Sequence, residues 1–157
     1  MDAKLSIHSI LMEQHASSLI GTQCPCGAVG AMHTTQCSDC QFNDATCTNC
    51  FICAHQTNLT HWAGKWDLSK GSFVCHDISC LHPEGYAIPF GHHGLSCLKY
   101  SPDSHDTLFC IVDMNGIHST CIQFCECTLD TCSTQLKSGL FPATLTQPRM
   151  AFSFNLL

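Results

Sequence analysis

Four close pairs of soft or borderline donors crowd one stretch of this chain: Cys24-Pro25-Cys26, Cys37-x-x-Cys40, Cys47-x-x-Cys50, and His55 with His61. Eight such donors are what two tetrahedral zinc ions require. A pair separated by one or two residues lets a single tight turn aim both donors at one ion. The residues inside and beside these pairs, Pro25, Gly27, Ser38-Asp39 and Thr48-Asn49, are turn formers. A segment this small cannot bury enough apolar surface to be stable alone. Structural zinc contributes about 10–16 kcal/mol in comparable peptides. The stretch therefore reads as a two-zinc module in which metal takes the place of an oily core. Spacing alone leaves open whether the pairs join sequentially or interleave.

Composition decides the redox context. The 157 residues include 15 Cys and 11 His, with only 11% charged residues. Such a chain is either disulfide-stapled and secreted or metal-bound and intracellular. The N-terminus, Met1-Asp2-Ala3-Lys4-Leu5-Ser6-Ile7-His8, lacks the continuous apolar core of a signal peptide. The Cys count is odd, and His residues sit among the Cys at ligand spacing. Metal is the consistent reading. No apolar run approaches the roughly 20 residues needed to span a bilayer, so no membrane role is expected.

Taken in order, residues 4–20 carry Leu5, Ile7, Ile10, Leu11 and Leu19 before Gly21, the pattern of a short amphipathic helix stopped by glycine. His55 is expected on a short helix with His61 just beyond it, and Trp62 and Trp66 packing over the metal. Cys53 falls between ligands and reads as a buried thiol or occasional substitute. Residues 67–81 read as a joining segment; Cys75-His76 with Cys80-Leu81-His82 look like another donor set, with plain buried or exposed thiols favoured over a further zinc site. His82-Pro83-Glu84 matches the H-x-E of zinc deaminases, but no downstream Pro-Cys-x-x-Cys follows.

Residues 86–98 end in Gly91-His92-His93-Gly94-Leu95-Ser96-Cys97, a plausible half site; Cys125-Glu126-Cys127 supplies the other half. A third zinc would take His92 or His93, Cys97, Cys125 and Cys127, with Cys132 in reserve. Leu108–Val112 and Ile117–Phe124 flank Asn115-Gly116, the favoured type I′ hairpin turn. With that turn, Met114 faces Ile117, Asp113 faces His118 and Cys110 faces Cys121. Seven residues of strand span roughly 23 Å, which removes His118 from the Cys125–Cys127 site. A helix is expected over 131–139. Phe141-Pro142 and Gln147-Pro148 then forbid its continuation, and the apolar tail should be buried or lead into something further.

The early pairs resemble a B-box zinc finger. Over residues 24–154 the order of motifs resembles the CxC-like cysteine cluster associated with KDZ (Kyakuja-Dileera-Zisupton) transposases. The residues that carry it are Cys47-x-x-Cys50, His55, His61, Trp66, Gly91-His92, Cys97, Asn115-Gly116-x-His118 and Cys125-x-Cys127. It continues through Gln135-Leu136, Phe141-Pro142-Ala143-Thr144, Pro148 and Ala151-Phe152. The resemblance implies a cross-brace, with Cys24, Cys26, Cys47 and Cys50 on one zinc and Cys37, Cys40, His55 and His61 on the other. It also implies a nuclear accessory module of a transposase, contacting either protein or transposon DNA.

The expected fold is a small α+β, zinc-stabilised chain. It comprises an N-terminal helix (1–21), a B-box-like cross-brace module (22–66) and a β-hairpin-based zinc-binding module (67–157) leading toward a transposase domain absent from this chain. Three zinc ions are expected, two in the first module and one in the second. No phosphate loop, nucleophile motif or small-molecule site is visible, so the chain reads as non-enzymatic. Two other readings remain: a small zinc hydrolase with an open position at His92, Cys97, Cys125 and Cys127, or a redox or metal-buffering role for Cys53, Cys75, Cys80, Cys110, Cys121 and Cys132.

Charge bears on the partner. The formal net charge is −6, and the six cations, Lys4, Lys65, Lys70, Lys99, Lys137 and Arg149, are scattered. Nine ligand thiolates on three zinc ions would make the chain more negative still. DNA affinity rests largely on neutralising phosphates. Docking to the transposase catalytic region or another protein is therefore favoured over a weak DNA contact.

Overall fold

The computed structural model describes residues 18–41, 44–91, 97, 107–125, 127, 131–146 and 149–155. Most of the expected N-terminal helix lies outside them. The fold is small α+β. Its contacts divide it into two units: Met1–Cys53 with His61–His76, and Ala54–Thr60 with Asp77–Leu157.

The first unit is built on a three-stranded sheet in the order β1 (Thr35–Cys37), β2 (Trp62–Asp67), β3 (Ser72–Asp77). Strand β1 lies antiparallel to β2, with Cys37 opposite Ala63 and Thr35 opposite Lys65. Gly64 sits where a Cβ would come 3.2 Å from the Gln36 side chain, so this strand crossing favours glycine. Helix α1 (Thr48–His55) buries Phe51, Ile52 and His55 and leaves Cys53 exposed. The expectation of a buried Cys53 is corrected here: it falls on the helix face turned away from Phe51 and His55. Trp66 packs edge-on against Phe73 of the neighbouring strand, with ring centroids 5.2 Å apart.

Residues 67–81 have structure of their own rather than merely joining the parts. They complete the β2–β3 hairpin, turned at Asp67–Gly71 where the Asp67 carboxylate accepts the Ser69 amide at 2.9 Å. They then enter a 3-10 helix (Ile78–Glu84).

The second unit has a five-stranded sheet ordered β4 (Ile88–Phe90), β6 (Gly116–Phe124), β5 (Thr107–Asp113), β8 (Met150–Ser153), β7 (Leu140–Pro142). Strands β4–β6 and β5–β8 pair in parallel, the other two pairs antiparallel. β-Branched and aromatic residues alternate along β5 and β6, so one face turns inward. That face carries Phe109, Ile111, His118, Thr120 and Ile122, and Ile78, Leu81 and Tyr86 are buried with it. Phe124 stacks edge-on to both Phe90 and Phe109. Helix α2 (Thr131–Lys137) stops before Gly139, whose φ of 80° is the left-handed C-terminal conformation. The apolar tail is used inside the sheet, as β8.

The hairpin is offset from the sequence expectation. Asp113 pairs with Gly116, so the turn residues are Met114 and Asn115. His118 lies opposite Ile111 rather than Asp113, and Cys110 opposite Ser119 rather than Cys121. The same faces point inward as expected, but every cross-strand partner moves by two. Two side chains account for the shift: Asp113 accepts the Met114 amide at 2.8 Å, and Asn115 is engaged by its own side-chain bonds.

Candidate metal centres

Cys24 sits on a short ladder in which its amide donates to the Ala31 carbonyl at 2.7 Å. The chain then turns through Pro25 and Cys26, and the Gly27 amide returns to the Cys24 carbonyl. This is the tight turn the Cys24-Pro25-Cys26 pair demands. Cys47 immediately precedes helix α1, and its Sγ accepts the Cys50 amide at 3.5 Å. A helix N-terminus favours negative charge, so thiolate character is supported there. The two pairs converge: Cys24 Sγ lies 3.8 Å from Cys50 Sγ, and Cys26 Sγ 3.8 Å from Cys47 Sγ.

Cys37 ends β1, and Cys40 follows after a turn. Asp39 within that turn accepts the Trp62 amide at 2.6 Å, tying the Cys37–Cys40 pair to the residue after His61. His61 turns its Nδ1 toward both thiols, 3.2 Å from Cys37 and 3.5 Å from Cys40. His55, on the last turn of α1, joins them: one donor atom from each of Cys37, Cys40, His55 and His61 lies within 4.8 Å of every other. The same limit holds within Cys24, Cys26, Cys47 and Cys50, and within Cys97, Cys125 and Cys127.

In the third group Cys97 Sγ is 3.5 Å from Cys127 and 3.6 Å from Cys125. Cys125 follows β6, and its Sγ accepts the Cys127 amide at 3.2 Å. Gly91 lies directly against it: a Cβ there would come 2.6 Å from the Cys125 Cβ, and its φ is +124°. His92 and His93 lie outside the described residues. Cys132 is not part of this group; its thiol donates to the Leu145 carbonyl. His118 is fully buried and likewise outside it. Among the described residues, Cys75, His76, Cys80 and His82 form no such group.

These separations test the fit of a metal. None of the fifteen cysteines is joined in a disulfide. Four sulfurs held at about 2.3 Å from one zinc ion stand about 3.8 Å apart, and a sulfur and an imidazole nitrogen about 3.6 Å. The observed contacts, from 3.2 to 3.8 Å, sit at those values or a few tenths of an ångström inside them, and far from the roughly 2.05 Å of a disulfide. The clusters fit zinc in donor type and in spacing.

Electrostatics point the same way. The Cys26 amide, and then that of Cys47, hold the Cys24 thiol down to about 6. Its neighbours oppose further charge: the Cys47 side chain first, then Cys24 and Cys26, push Cys50 up to about 12. Burial pushes Cys37 up to about 12 and raises Cys47. Cys97, then Cys125, push Cys127 up to about 11. A first thiolate forms readily in the Cys24 group, but a complete set of thiolates needs a cation among them.

Residues 81–157 match the family model described as a CxC2 like cysteine cluster associated with KDZ transposases. That stretch is similar to the CxC2-like cysteine clusters. It takes in β4 to β8 and the Cys97, Cys125 and Cys127 group, while the first two donor groups lie upstream of it. No curated protein and no solved structure matches the chain.

The clustered Cys and His residues are ones the sequence singles out, but two residues packed or bonded beside them are not. Asp39 is legible as a turn former, yet its bond to Trp62 crosses between distant stretches of chain. Gly91 was visible only as a glycine beside a histidine, and its close approach to Cys125 depends on the parallel β4–β6 pairing.

Proposed function

We propose that the chain is a non-enzymatic, zinc-binding accessory module of a KDZ-type transposase. One observation carries this reading: clustered thiols and imidazoles stand at the spacing of a tetrahedral ion, and one cluster lies inside the CxC2 segment. Cys24, Cys26, Cys47 and Cys50 hold one zinc, and Cys37, Cys40, His55 and His61 a second, in a B-box-like cross-brace. Cys97, Cys125 and Cys127 hold a third, with His92 or His93 as the fourth donor. Bound zinc supplies the cation that lets every thiol in a group ionise together. Closed four-donor sites leave no position for water or substrate, which argues against the hydrolase alternative.

The partner is read from the sheet face opposite the core. Phe141, Phe152, Val112 and Ile117 line up across β7, β8, β5 and β6 in consecutive register. Phe141 is 50% exposed and Ile117 65% exposed, and Leu108 and Met150 extend the patch. An uncharged patch of this kind suits a protein surface. Its occupant is the catalytic region of the transposase with which such clusters are associated, which would place the module in the nucleus. No helix among the described residues is long and apolar enough to cross a membrane. The net charge of −6 disfavours phosphate binding. The test is binding of the metal-loaded chain to a KDZ transposase catalytic region. A complex that persists at high salt supports the reading. Affinity only for duplex DNA, falling steeply with salt, would overturn it.

A further inference from the structure

The segment Ala54–Thr60, which carries the donor His55 and ends one residue before His61, belongs with the β5–β6 hairpin to the second compact unit. Its start is closed by the Asn58 amide on the His55 carbonyl at 3.1 Å. Its end is held by the β5–β6 hairpin. Asn115 Nδ2 donates to the Thr60 carbonyl at 2.9 Å, one residue before His61. The Thr60 hydroxyl also bonds the Asp113 carboxylate, which is itself fixed by the Ser153 hydroxyl. Asn115 is oriented from behind: its Oδ1 accepts His118 Nε2 at 2.7 Å, and His118 is fully buried. A hairpin turn needs none of this, since glycine suits a tight turn equally well. An asparagine used at both ends of its amide, with a buried histidine behind it, is a bracket for the Thr60 carbonyl.

We propose that Asn115, aligned by His118, is a positioning residue for the Cys37, Cys40, His55 and His61 centre. By anchoring Thr60 it fixes the loop that sets the separation of His55 from His61. The inference rests on reading that group as a metal centre. Partners one shell behind the ligands orient them, and losing one typically costs 10–100-fold in metal affinity.

The experiment compares zinc release to a chromophoric chelator from the full-length chain and from Asn115→Gly, which keeps the turn but removes both side-chain bonds. Native mass spectrometry counts the ions retained. Cobalt substitution separates the groups, because thiolate-to-cobalt absorption per ion scales with the number of thiolates. Release from the two-thiolate centre should be about tenfold faster in the variant, with the four-thiolate centre unchanged. Asn115→Asp, which keeps the acceptor for His118 but sets a carboxylate against the Thr60 carbonyl, should act in the same direction and guards against a glycine that merely loosens the turn. Wild-type release from the two-thiolate centre in either folded variant overturns the proposal, as does equal acceleration at every centre. A wild-type chain that takes no ion at that group overturns the parent reading too, and that failure is visible before any variant is made.

Discussion

The sulfur of Cys24 lies 3.8 Å from the sulfur of Cys50, across 26 positions of sequence. That contact joins a turn near the start of the described chain to the first turn of helix α1, with β1 between them. In the first unit the apolar core is slight, with Ala45, Phe51, Ile52 and Ala63 among its buried residues. The donor groups occupy the place a larger core would fill. The second unit differs, because Ile78, Leu81, Tyr86, Ile111 and Ile122 are all fully buried there. Clustered thiols in place of an oily interior are therefore a feature of the first unit.

Cys50→Ala should cost the first unit one ion and much of its order, since a structural site contributes on the order of 10 kcal/mol. The second unit, with its own core, should keep its structure. Hydrogen exchange resolved by segment checks this: protection should fall in 22–53 and 61–76 and persist in β5 and β6.

Gly91→Ala should disable the third group selectively. The new Cβ would sit 2.6 Å from the Cys125 Cβ in a backbone conformation that side chains avoid. Overpacking of this kind costs about 1–3 kcal/mol. The variant should fold, bind one ion fewer than wild type, and leave the Cys24 and Cys37 groups loaded, as counted by native mass spectrometry.

The pH dependence has opposite signs with and without metal. Burial pushes Cys37 from 9 up to about 12, so its proton supports the metal-free fold below pH 9, and that support is lost as pH rises from 9 toward 12. Zinc binding must displace the same proton. Affinity at this centre should therefore climb with pH, about tenfold per unit for each proton released, and fall on acidification. Calorimetry in buffers of different ionisation enthalpy would count the protons. Binding without proton release would contradict this assignment.

Much of this was legible in the sequence because it is local. The donor pairs, the short helix bearing His55, both hairpin strands and the stop at Gly139 all follow from spacing, β-propensity or turn chemistry. What was not legible depends on long-range register. Spacing alone could not say which pairs approach each other, because that follows from Cys37 pairing with Ala63 and Thr46 bonding Thr35. The offset of the hairpin turn depends on Asn115 meeting Thr60, 55 positions away. The row from Phe141 to Ile117 exists only once β8 has inserted between β7 and β5.

Ile117→Asp should leave the fold within about 0.5 kcal/mol of wild type, as surface substitutions generally do, because this side chain points away from the core. It should weaken association with the transposase catalytic region at least tenfold, read by titration calorimetry. Unchanged affinity would remove this sheet face from the contact.

The central claim is tested most directly by the metal content of the purified native chain, measured by mass spectrometry under non-denaturing conditions. The expected result is three zinc ions per chain, lost together with the order of the first unit on chelation. A chain that carries no metal, or whose Cys24 and Cys50 are joined in disulfides while the first unit remains folded, would contradict it.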